Sequence, residues 1–289
     1  MPNNNDLNHS PDITPEHAEA YAWNKAAWDE RVPAHWESAM YRAHADALRR
    51  GDPMLHDDLV QRAGDLTGKS LIHLQCHMGM ETLAWALLGA TTVGIDFSPN
   101  AIDKANTLRD ELELDARFIC TNVYDTRDHL DGETFDTVFV SIGSLCWLPD
   151  IARWATLVAS LLKPGGLLLL NDVHPVINML DDSDDPPGFA VAYPYLGDER
   201  LVLDDDENSY AAQDTVFQNN KMAEWPHTFG TIITQLVNAG LRIETMEESS
   251  RCVWPAFKVM EETAPFRWDF PGQWRGKVPV DFTLTARKP

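Results

Sequence analysis

Basic residues are scarce in this chain: 23 Lys and Arg stand against 45 Asp and Glu, a formal net charge of −22 over 289 residues. Nucleic-acid binding needs clustered cations to displace counterions from phosphates, so RNA and DNA are not expected partners. Cysteine is equally sparse. Cys76, Cys120, Cys146 and Cys252 are scattered and form no C-x-x-C pair, which excludes a disulfide framework and fits a reducing cytoplasm. No run of 18 or more apolar residues occurs, nor a basic start followed by an apolar segment, so neither a membrane span nor a signal peptide is expected. Internal repeats and the G-x-G-x-x-G turn of dinucleotide-binding proteins are missing too. Composition carries no signal for oligomeric state.

What is present is a strand–turn–helix–strand pattern from Ser70 to Ala105. Leu71, Ile72 and Leu74 make a short apolar strand, Met78-Gly79-Met80 a turn, and Thr82 to Leu88 an apolar helix that Gly89 stops. Thr91 to Ile95 returns as a buried strand and Asp96 follows it, 17 positions after Gly79. In such a unit the first turn packs on a nucleotide cofactor, and an acid about 20 residues on takes the ribose hydroxyls. The pattern alone leaves nicotinamide, flavin and S-adenosylmethionine open. The turn narrows it, because Gln75 and His77 place bulk where a dinucleotide enzyme needs small glycines.

Further along, strands are expected at 117–121, 135–141, 167–172, 241–248 and 280–287, with helices at 99–112, 151–162 and 226–239. Alternation of this kind gives a doubly wound, mostly parallel α/β sheet of seven strands, Rossmann-like, with the last strand antiparallel. Thr14 and Pro15 open a helical N-terminal extension or flap, residues 1–64, with breaks expected near Pro33 and Pro53. Its aromatics, Tyr21, Trp23, Trp28, Trp36 and Tyr41, serve core packing or cover the cofactor. Met1 to Ile13 is polar and is expected to fray. Residues 65–289 form the main domain. A cap insertion is expected at about 175–225, where DDSDDPPG, YPYL and DDDEN lie, because long irregular segments are commonly disordered or lids. Arg251 to Pro279 is a second aromatic excursion, walling the same pocket or shielding a sheet edge.

The motifs HLQCHMG, GIDFSPNAIDKA, TNVYD, FDTVFVSIGSLCWLPD, LLKPGGLLLLNDVHP and WPHTFGTIITQLVNAGLRIE follow one another in an order and spacing that resemble the class I S-adenosylmethionine-dependent methyltransferases, in a bacterial small-molecule branch whose first motif reads HLQCH-x-G. The resemblance covers nearly the whole chain. It implies S-adenosyl-L-methionine as cofactor, S-adenosyl-L-homocysteine as product, and a small-molecule acceptor with an oxygen, nitrogen or carbon nucleophile. By the same resemblance Gln75 to Gly79, Cys76 among them, wrap the methionine end and Asp96 binds the ribose. Phe97 packs on the adenine, Ser98 is a further cofactor contact, Asn122 reaches the adenine amine, Val123 touches the ring, and the Ser141 backbone faces the sulfonium. His73 stands where the family usually has an acid.

Methyl transfer from a sulfonium is an in-line displacement that needs a base only when the acceptor starts protonated. Ligands of open α/β sheets bind at the C-terminal ends of the strands, which selects Gly143, Ser144, Trp147, Asp172 and His174. His174 is the base candidate, since imidazole titrates near neutrality; the alternative is a ring that hydrogen-bonds the following turn. His73, Cys76 and His77 invite a zinc reading, but three candidates within five residues on a strand and turn diverge, so no metal is expected. Two other functions compete: a nicotinamide-dependent oxidoreductase, and a catalytically inert cofactor-binding protein on the same fold.

Overall fold

The computed structural model describes residues 14–184, 187–196, 200–203, 209–212, 215–250 and 252–289. The N-terminal stretch expected to fray, the whole of DDDEN, and Asp185 and Pro186 of DDSDDPPG lie outside the described residues.

Three helices come first: α1 (Pro15–Glu37), α2 (Ala39–Arg49) and α3 (Asp57–Ala63). The expected break at Pro33 does not occur. A proline inside a helix frees the carbonyl four residues earlier, and here that carbonyl, on Asp29, accepts from the Asn100 side-chain amide at 3.2 Å. The chain breaks instead at Ser38, whose hydroxyl caps α2 at the Tyr41 amide. Pro53 does lie outside helix, between α2 and α3.

Strand and helix then alternate: β1 (Ser70–Leu74), α4 (Met80–Leu87), β2 (Thr91–Asp96), α5 (Pro99–Leu112), β3 (Ala116–Cys120), β4 (Phe135–Val140), α6 (Ile151–Leu161) and β5 (Leu162–Val173). The insertion after β5 contributes a hairpin, β6 (Leu180–Asp184) with β7 (Pro187–Val191), and a short pair, β8 (Leu201–Leu203) with β9 (Met222–Glu224). Then come α7 (Phe229–Asn238), β10 (Arg242–Ser249), the hairpin β11 (Glu261–Ala264) and β12 (Arg267–Asp269), and β13 (Asp281–Arg287). Helix α7 starts at Phe229 rather than Pro226 because the Thr228 hydroxyl caps the Thr231 amide at 3.1 Å.

The main sheet has seven strands in the order β10-β13-β5-β4-β1-β2-β3, and β13 runs antiparallel to both its neighbours. Strand alternation sorts its two faces. Ile72, Leu74, Val138, Val140, Leu168 and Leu170 meet α6 and α7 through Trp154, Leu157 and Leu236. Leu71, Phe139 and Leu169 meet Trp85 of α4 and Leu59 of α3 on the other. The sheet reverses its winding between β1 and β4. There, at the C-terminal strand ends, a doubly wound sheet opens its binding crevice.

Candidate functional site

The crevice is a cavity of about 890 Å³ at the C-terminal ends of β1, β2, β4 and β5. Its floor is the turn after β1. Gln75 and His77 both hold positive φ, +58° and +48°, a conformation uncommon outside glycine, so this turn is a tight reversal that aims its backbone amides sideways. The His77 amide donates to Asp96 Oδ2 at 2.8 Å, and the Ser98 amide to Oδ1 at 2.9 Å. Asp96 is thereby fixed at the end of β2, on the cavity wall. Burial pushes its pKa up to about 6 against the pull of those amides.

A second wall comes from the loop after β4. Gln75 Nε2 donates to the Ser144 carbonyl at 2.9 Å, tying the first turn to this loop. Asp172, at the end of β5, accepts from the amides of Gly143 (2.5 Å), Ser144 (3.2 Å), Leu145 (2.9 Å) and Val173 (2.7 Å). Burial raises its pKa to about 6 as well. It does not line the cavity; it holds the loop that does.

The helical extension closes the top. Trp28 of α1 and Tyr41 of α2 line the cavity, with Trp28 edge-on to His77 and Trp147 at ring separations of 5.7 and 5.4 Å. His35 Nδ1 meets His77 Nε2 at 3.2 Å, and His35 Nε2 meets the Ser209 hydroxyl at 2.5 Å. Burial lowers the pKa values of these imidazoles to about 3 and 4, so both are neutral. The Tyr41 and Tyr210 hydroxyls meet at 2.5 Å. The aromatic excursion walls the same cavity, through Trp254, Phe257 and Phe266. Ile177, Leu180, Leu203 and Met222 bring in the insertion. The aromatic the insertion sends into the site is Tyr210; Tyr193 is exposed, and the Tyr195 hydroxyl accepts from the Phe229 amide.

Of the residues singled out from sequence, Gln75, Cys76, His77, Asp96, Phe97, Ser141, Gly143, Ser144 and Trp147 line this cavity, whereas His73, Gly79, Ser98, Asn122, Val123, Asp172 and His174 do not. His73 lies beneath it, 1% exposed, with Nδ1 2.9 Å from the Thr82 hydroxyl and Nε2 2.9 Å from that of Ser141. Burial holds the ring neutral, its pKa lowered to about 3. Gly79 is glycine for packing: at φ +72°, an added Cβ would fall 2.6 Å from the Phe118 ring and 2.9 Å from Ala105. The Ser98 hydroxyl is spent on capping α5 at the Ala101 amide (3.1 Å) and donating to Asp29 (2.5 Å). Asn122 Oδ1 accepts from the Tyr124 amide at 3.0 Å and opens a short 3₁₀ helix. Val123, 6% exposed, packs into the sheet core.

His174, the base candidate, lies outside the cavity. Its Nδ1 accepts from the Val176 amide at 3.1 Å and its Nε2 contacts Glu248 Oε1 at 2.7 Å, while Phe229 packs edge-on against the ring. Both nitrogens are occupied in a 2%-exposed pocket outside the cavity. This is the turn-holding alternative. Sequence reasoning passed over Glu81 and Tyr210, both of which line the cavity. Glu81 could have been found, two residues after the turn glycine, as an acid at the start of an otherwise apolar helix.

Residues 72–168 match the family model of a methyltransferase domain. A ubiquinone biosynthesis O-methyltransferase from Coxiella burnetii is 28% identical over 109 residues, 38% of this chain and 45% of that protein, so the chain spans about half the length of the curated relatives it matches. Among solved structures, an S-adenosylmethionine-dependent methyltransferase from Mesorhizobium loti superposes with a TM-score of 0.57 at 18% identity, covering 80% of this chain and 96% of that one. Magnesium protoporphyrin IX methyltransferase from Synechocystis superposes with a TM-score of 0.51 at 13% identity, covering 97% and 100%. The chain therefore has the seven-stranded fold of the class I S-adenosylmethionine-dependent methyltransferases, with a methyltransferase-domain match over residues 72–168.

Proposed function

We propose that this protein is an S-adenosylmethionine-dependent methyltransferase acting on a small-molecule acceptor in a reducing, cytoplasmic setting. The observation that carries the reading is Asp96: a carboxylate at the end of β2, fixed by two backbone amides, on the wall of a cavity of about 890 Å³. Ribose diols are taken by such an acid. The volume lies within the range of small-molecule sites and leaves room for an acceptor beside a nucleoside. Phe97, next in the chain, offers a ring for the adenine.

The residues present fit this cofactor better than a dinucleotide. Gln75 and His77 fill the turn with side chains, and His77 is locked to His35, so the close backbone approach a pyrophosphate needs is blocked. When bound, S-adenosylmethionine supplies an electrophilic methyl group. The protein's part is to position, enclose and exclude water. Ser141 and the Asp172-held loop form the wall at the methionine end. Residues 15–63 act as a flap that sets Trp28 and Tyr41 over the site, and the 175–225 insertion as a cap. The acceptor belongs at the apolar end, among Ile177, Trp254, Phe257 and Phe266, which favours a molecule with a flat apolar body. No histidine on the cavity need act as base for an acceptor that is already a free nucleophile.

Calorimetry tests the reading directly. The full chain should bind S-adenosylhomocysteine one to one and show no heat with NADH; binding of NADH alone would replace it with the oxidoreductase reading.

A further inference from the structure

Resting on the cofactor reading above, we infer that Glu81, on the same cavity wall as Gln75, is the seat of the cofactor's α-ammonium group, a task for which the first strand holds no acid. S-Adenosylmethionine carries a primary ammonium at its amino-acid end. Taking that charge out of water requires an anion or several acceptors. His73 cannot serve, because the ring is neutral, lies below the cavity, and has both nitrogens on Thr82 and Ser141.

Glu81 sits in the first turn of α4, directly after the cofactor turn, and lines the cavity with its carboxylate toward the Ser141 hydroxyl. Among the described residues no Lys, Arg or His forms an ion pair with it. Enclosure raises its pKa above the ordinary value, the mark of a carboxylate short of positive charge. Gln75 supplies the second acceptor. Its Nε2 is spent on the Ser144 carbonyl, which fixes the amide orientation, and its Oε1 is buried with no hydrogen-bond partner. A buried acceptor left unpaired in a native fold calls for a donor. The other acids on the cavity are placed elsewhere: Asp96 at the end of β2, Asp52 accepting from the Met54 amide, and Glu224 on β9.

The test uses two ligands that share the nucleoside and thioether but differ at the amino-acid end. S-Adenosylhomocysteine carries the ammonium; 5′-methylthioadenosine ends in a methyl group. Glu81→Gln, isosteric and uncharged, should weaken S-adenosylhomocysteine by about 10- to 100-fold, the range of one charge-assisted hydrogen bond, and leave 5′-methylthioadenosine unchanged. Glu81→Asp should recover part of the loss and guards against a folding artefact, with melting temperature followed for both variants. Equal weakening of both ligands, or of neither, would overturn the assignment while the cofactor reading stands. Failure of the wild-type chain to bind either ligand would overturn both.

Discussion

Two aspartates close the C-terminal edge of the sheet, one at the end of β2 and one near the end of β5. Asp96 and Asp172 are both nearly inaccessible, both capped by backbone amides, and both pushed by burial to a pKa of about 6. They differ in how many donors they already hold. Asp96 takes the amides of His77 and Ser98 and faces the cavity; Asp172 takes four amides from 143–145 and 173 and stands behind the loop. A carboxylate with its lone pairs used up is a structural rivet. One that faces a cavity is placed to meet a ligand. Residue type, strand position and pKa do not separate the two, whereas the cavity wall does, with Asp96 on it and Asp172 behind it.

The comparison breaks most sharply at Asp172. Asp172→Ala strands the buried amides of Gly143, Ser144 and Leu145, at a cost of about 3 to 5 kcal/mol in unfolding free energy. Urea titration should show it, and a loss below about 1 kcal/mol would mean the loop finds other partners.

Asp96→Ala should leave the fold largely intact but weaken S-adenosylhomocysteine by about 1.5 to 3 kcal/mol, the worth of hydrogen bonds to a charged acceptor. The wild type offers a gentler version. In the proposed role Asp96 would accept ribose hydroxyls as a carboxylate, so affinity should fall as pH drops through about 6, by about tenfold at one unit below. For stability the sign is reversed: a folded pKa above the unfolded value means that proton uptake favours the native state, so this residue's contribution to stability grows as pH falls from 7 toward 4. Calorimetry and thermal melts at paired pH values should move in opposite directions. His35 and His77, neutral down to about 3 and 4, stay out of that window, whereas Asp172, also near 6, adds to the stability change in the same direction.

The smallest effect is expected at His174. His174→Gln should cost about 1 kcal/mol of stability and leave S-adenosylhomocysteine affinity within about twofold. A hundredfold loss of methyl turnover with fold and affinity retained would return His174 to the chemistry.

The architecture was legible because its signals are local. Gly89 and Gly240 close helices at positive φ, Ser98 caps α5, and apolar alternation marks the buried strands. Asp96 was legible for the same reason, as the residue ending a strand at a set distance from a turn. The partners of the remaining candidates lie far away in the chain. His174 is claimed by Glu248 across 74 residues, Ser98 by Asp29 across 69, and Gly79 is pressed by Phe118. Tyr210 enters the site through Tyr41, 169 positions earlier. No spacing rule reports such meetings, nor that Asn100 arrives from another element to take the carbonyl that Pro33 frees in α1.

The cavity walls draw on residues from Trp28 to Arg267, so the pocket has no local folding precursor and exists only once nearly every element is in place. A ligand seated there meets the native ensemble and nothing less ordered. Its binding energy is then transmitted undiminished to the whole fold, about 2.7 kcal/mol at a hundred times its dissociation constant. A cell rich in the cofactor would thus hold this chain further from unfolding, and from proteolysis, than its sequence alone secures.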